Sequence, residues 1–136
     1  MSRWLVLTGY MGAGKTAVGR RVADRLGRRF VDADRAVEER AGMPIPEIFA
    51  RRGEPWFRRV ADVVWLRASV EVAWGRVRGS DRPLAQDRDR FARRAAAREA
   101  GYREAAGLEV DADAPADEVA GRVAAWAEGL AAEARR

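Results

Sequence analysis

Gly9-Tyr10-Met11-Gly12-Ala13-Gly14-Lys15-Thr16 is the stretch whose reading decides the fold. It fills every fixed position of the pattern G-x-x-x-x-G-K-[ST], in which backbone N–H groups cradle phosphates where a helix begins. The chain holds twenty-five arginines and a single lysine, Lys15. Elsewhere, where only positive charge is needed, this chain uses arginine. Inside the loop a compact ammonium on a flexible stem must pass between phosphate oxygens, a task unsuited to a planar guanidinium.

Working outward, Leu5-Val6-Leu7 reads as a strand buried on both faces, ending at Thr8-Gly9. After the loop, Lys15 to Leu26 is expected to be helical, with Val18, Val22 and Leu26 on one face and Gly27 closing it. Strand, glycine loop and helix form the context that the motif requires. Arg29 to Asp32 reads as a second strand, and 36–41 as a helix stopping at Gly42. A turn at Met43-Pro44-Ile45-Pro46 precedes a helix from Glu47, and Gly53-Glu54-Pro55 breaks the chain again. Asp62 to Leu66 has the composition of a buried strand, and Ser69 caps a helix to about Val77. Gly79 to Leu84, polar and turn-rich, reads as a mobile segment, 87–106 as a long helix and Leu108 to Asp111 as a last strand. Pro115 opens a terminal helix through Leu130, with a fraying tail beyond. Alternating strands and helices predict one α/β domain over 1–136, a P-loop NTPase-like three-layer αβα fold with about four mainly parallel strands.

Composition narrows the chemistry. The hydrophobic fraction of 48% supports a folded core, and no apolar run approaches the roughly 20 residues of a membrane span. The start, Met1-Ser2-Arg3-Trp4, leads directly into a strand, so no signal peptide and a cytoplasmic location are expected. No cysteine excludes disulfides and thiolate metal sites, and no histidine excludes Ser-His and Cys-His catalysis. Carboxylates, arginines, Lys15, hydroxyls and backbone groups remain. The net charge of +5 raises a nucleic-acid alternative. Against it, the arginines are interleaved with 21 acidic residues and form no long basic block, which suits an anionic small molecule equally well.

Asp32-Ala33-Asp34, Gly42-Met43-Pro44-Ile45-Pro46-Glu47-Ile48-Phe49, Gly53-Glu54-Pro55-Trp56-Phe57-Arg58 and Arg82-Pro83-Leu84 join the loop in a pattern that resembles the shikimate kinases. The resemblance implies transfer of phosphate from ATP, with Mg²⁺, to the 3-hydroxyl of shikimate. Gly12, Ala13, Gly14, Lys15, Thr16 and Ala17 would then wrap the nucleotide phosphates, with Lys15 bridging the β and γ groups. Thr16 would place its hydroxyl on Mg²⁺, and Asp32 would reach the metal through water. Asp34 would hold the shikimate hydroxyls and assist proton removal. Arg58 and Arg98 would pair with the shikimate carboxylate, Arg82 would close the lid over the phosphates, and Arg76 would pack on the adenine.

Against that family's pattern, Ala61 stands where a glutamate usually steadies Arg58, and the Pro-Leu that usually follows the Arg98 position is missing. A strand, a glycine triplet and a helix, together roughly 30 residues or one βα unit, are absent after Val60. In the family this strand lies between the P-loop strand and the strand ending at Asp32. Without it, those two must pair directly or leave ladder groups unpaired. Two readings stay open: a working shikimate kinase, or a nucleotide-binding remnant that transfers nothing. A monomer is expected, with pairing of two chains as the alternative if the shortened sheet leaves an open edge.

Overall fold

The computed structural model describes residues 3–31, 61–78 and 87–136. Among these, three strands form one parallel sheet in the order β1 (Trp4–Thr8), β2 (Ala61–Arg67), β3 (Leu108–Asp111). The helices among them are α1 (Lys15–Leu26), α2 (Val70–Val77), α3 (Arg88–Ala105) and α4 (Ala116–Ala134).

The sequence Ala-Asp-Val-Val-Trp-Leu-Arg makes β2 the buried central strand, because its branched and aromatic residues fill both faces of the pleat. Val64 and Leu66 enter the larger core with Val18 and Val22 of α1 and Val119 and Val123 of α4. Trp65 points the other way and meets Tyr102 of α3, ring centroids 5.8 Å apart. On that side Ala73 and Val77 of α2 and Phe91 of α3 form a second cluster, against which Tyr10 and Met11 pack. Helices therefore cover both faces, giving the expected three layers.

Register follows from these faces, with Val6 opposite Val63 and Val64 opposite Leu108. Ion pairs mark the ladder ends: Arg3–Asp62 at 3.0 Å and Arg67–Glu109 at 2.9 Å. Being largely exposed, each adds at most about 1 kcal/mol.

Several expectations change. The strand expected over 29–32 is not formed at residues 29–31, and Asp32 lies outside the described residues. Phe30 is instead packed on α1: a Cβ added at Gly19 would stand 2.7 Å from its ring, and Arg20 lies 5.6 Å from the ring centroid. Among the described residues the sheet has three strands. Direct pairing of β1 with 29–31 does not occur, so β1 has one strand neighbour there, β2. Consistently, β1 is only partly buried and Trp4 is 56% exposed, whereas burial on both faces was expected. Pro115 is the N-cap of α4 rather than its first helical residue. The helix continues past Leu130 to Ala134, favoured by its alanines. The helices expected at 36–41 and from Glu47 lie outside the described residues.

Candidate functional site

β1 delivers the chain to the loop at its C-terminal end, and α1 starts at Lys15. Gly14 is the N-cap of α1, with φ 89° and ψ 24° and no side chain capping the helix. The first-turn N–H groups of an α-helix have no intrahelical acceptor, and together with the macrodipole they favour an anion. Gly12, at φ 87°, also lies in the left-handed region. A Cβ there would stand 2.5 Å from the Ala73 carbonyl oxygen of α2, so glycine is required by space as well as by dihedral angle. The Ala13 N–H donates to the Tyr10 carbonyl at 3.0 Å, closing the turn. Lys15 Nζ donates to the Gly9 carbonyl at 2.6 Å, which lays the side chain back along its own loop.

Gly12, Ala13, Gly14, Lys15, Thr16 and Ala17 form the loop and the entrance to α1, with Thr16 and Ala17 exposed on the first turn of the helix. Arg76, from α2, reaches the same place. Its Nη1 donates to the Gly12 carbonyl and its Nη2 to the Ala112 carbonyl, each at 2.9 Å. Beside it lies a cavity of about 320 Å³ lined by Gly14, Ala17, Arg76, Ala112, Ala114 and Ala116. Arg98 lies on the exposed side of α3, its guanidinium 5.7 Å from the Tyr10 ring centroid. Asp32, Asp34, Arg58 and Arg82 lie outside the described residues.

Tyr10 is a contributor that the loop pattern, with its free second position, does not single out. Its ring meets Phe91 at 5.0 Å, and its hydroxyl is buried without a hydrogen-bond partner among the described residues. Burial raises its pKa above the usual phenol range, opposed by the nearby Arg98 and Arg94 charges. The β3–α4 turn is a second contributor. The Ala112 N–H donates to the Arg67 carbonyl at 2.9 Å, and Asp113 accepts the Ser69 N–H at 2.7 Å. The signal for it was Asp111-Ala112-Asp113 ahead of Pro115, a run of turn-forming carboxylates.

A larger cavity, about 730 Å³, opens between Tyr10 and Met11 of the loop, Trp65 of β2, and Phe91 and Tyr102 of α3. Its carboxylates are engaged in the framework. Glu109 and Glu99 flank Arg67 at 2.9 and 3.9 Å, and Asp111 accepts the Asp113 N–H. Among the described residues no three acidic side chains converge as a metal cluster. A magnesium ion carried in on phosphate needs no such cluster, since it keeps several waters and takes few protein ligands. Among the described residues, no helix is long and apolar enough to cross a membrane.

The family model described as shikimate kinase matches this chain in two pieces, residues 11–62 and 59–128. The pieces overlap at 59–62, where the omission after Val60 is expected. The shikimate kinase of Nitrobacter winogradskyi is 43% identical over 142 aligned positions, covering 76% of this chain and 66% of the relative. That span exceeds the 136 residues of the chain, so the relative carries residues missing here. The Ruegeria pomeroyi shikimate kinase is 38% identical over 125 positions, covering 65% and 64%. The chain spans just under two thirds of the length of each. Among solved structures, a shikimate kinase from Acinetobacter baumannii in complex with shikimate aligns with a TM-score of 0.69 and 27% identity, over 89% of this chain and 90% of that one. The loop geometry, the layered parallel sheet and a family match running from Met11 to Glu128 agree, and the chain belongs to the shikimate kinase family.

Proposed function

We propose that this chain binds ATP with Mg²⁺ and transfers the γ-phosphoryl group to the 3-hydroxyl of shikimate. The observation that carries the reading is the entrance to α1: Gly12 and Gly14 in left-handed conformations, no side-chain cap, and Lys15 lying along the loop. The backbone from Gly12 to Ala17 cradles the phosphates, and Lys15 leaves the Gly9 carbonyl to bridge the β and γ oxygens. Thr16, an exposed hydroxyl beside that cradle, and Asp32 would hold the magnesium ion. Bound there, such an ion would offset charge on the transferred group. Arg58 and Arg98 hold the acceptor carboxylate. Asp34 orients the 3-hydroxyl and takes its proton as the oxygen attacks phosphorus and the bond to ADP breaks. Arg82, in a lid over 79–87, covers the phosphates. Shikimate-dependent release of ADP, followed in a coupled assay, tests this; bound ATP without shikimate-dependent turnover would overturn it.

A second reading, a nucleotide-binding remnant, is favoured by Ala61. It is 3% exposed and opens β2 opposite Trp4, so no carboxylate can stand there to steady Arg58 without burial in the sheet. Calorimetry separates the two, because a remnant binds ATP and gives no heat with shikimate.

A further inference from the structure

The Gly12–Ala13 peptide is gripped at both polar ends. Its N–H is taken by the Tyr10 carbonyl and its C=O by Arg76 Nη1. The other arm of Arg76 holds Ala112, which is buried and tied through its own N–H to the Arg67 carbonyl. Asp113, the next residue, fixes the start of α2 through the Ser69 N–H, and Ser69 Oγ in turn caps that helix at Val72. The anchor is therefore stiff. One guanidinium joins the phosphate loop to a knot made from the C-terminal ends of β2 and β3 and the start of α2.

Position matters as much as partner. Gly12 already rests on Ala73, one turn before Arg76 on α2, so contact and hydrogen bond press the same peptide toward one helix. A Cβ on Gly14 would lie 3.7 Å from Arg76 Nη1, so the guanidinium runs beside both left-handed glycines. Its edge is used by the two carbonyls. A base packed on Arg76 would use its face.

We propose that Arg76 is a positioning residue for the phosphate loop: its edge clamps the Gly12 carbonyl to the β3–α4 turn and so sets the shape that receives phosphates, whether or not a base is present. This rests on the phosphate-binding reading of the loop.

Inorganic tripolyphosphate has the phosphates of ATP and no base, which makes it the deciding probe. Calorimetric titration of the full chain with Mg-ATP and with magnesium tripolyphosphate is compared for wild type, Arg76→Ala and Arg76→Lys. The clamp predicts that Arg76→Ala weakens both ligands in parallel, about tenfold, with Arg76→Lys in between because a single ammonium nitrogen keeps the charge but does not span two carbonyls as the two guanidinium arms do. Weakened ATP with unchanged tripolyphosphate would assign Arg76 to the base alone and overturn the proposal, as would no change in either. Wild type that binds neither ligand removes the phosphate-loop reading itself, and the clamp with it. Should Arg76→Ala melt well below wild type, Arg76→Lys decides by the same comparison of the two ligands.

Discussion

At the scale of single residues, Gly12 and Gly14 look alike in sequence but differ in what surrounds them. Gly12→Ala meets both a left-handed φ and the Ala73 carbonyl, whereas Gly14→Ala meets a left-handed φ and only ordinary contacts with the Arg76 and Val18 side chains. Chemical denaturation is expected to show a loss of about 1–2 kcal/mol for Gly14→Ala and clearly more for Gly12→Ala. Tyr10→Phe should act in the opposite sense. It removes a buried hydroxyl with no partner among the described residues, and a gain of about 1 kcal/mol is expected. The same hydroxyl sets an alkaline limit. Its folded pKa is raised above the ordinary 10.0, so the unfolded chain loses the proton first and binds fewer protons than the folded one. Stability from this group is full below the ordinary value and declines as pH climbs through the raised one. Melting curves above pH 10 should therefore fall more steeply in wild type than in Tyr10→Phe.

Among the elements, β2, α1 and β3 were legible because each carries its own local evidence: an apolar run, valines four apart, a closing glycine. Ser69 was legible as a cap for the same reason, and its hydroxyl accepts the Val72 N–H. What stayed hidden depends on distant partners. Arg76 bonds carbonyls 64 and 36 positions away, and neither pairing leaves a trace in spacing. Residues 29–31 do not form the strand expected there, and Phe30 lies on the bare surface of Gly19, a contact that local propensity does not register. Phe91 tests the packing of the second layer, since it is fully buried and touches both Tyr10 and Trp74. Phe91→Ala should cost about 3–5 kcal/mol and, by loosening Tyr10, weaken Mg-ATP binding as well.

For the whole molecule, the decisive fact is the junction at 59–62, where the two parts of the family match meet. Ala61 is the first residue of β2 and pairs with Trp4. Inserting the segment of a longer relative, roughly 30 residues, between Val60 and Ala61 should raise shikimate-dependent ADP release by at least about tenfold. Equal rates before and after insertion would show that the omission does not limit transfer. One further property belongs to the molecule as a chemical object. Besides the amino terminus it offers a single primary amine, Lys15, and that amine lies against Gly9 at the mouth of the phosphate loop. Any amine-selective reagent becomes a footprinting agent for one side-chain atom, so the mass of the peptide that carries Lys15 records whether the loop is shielded by what it holds.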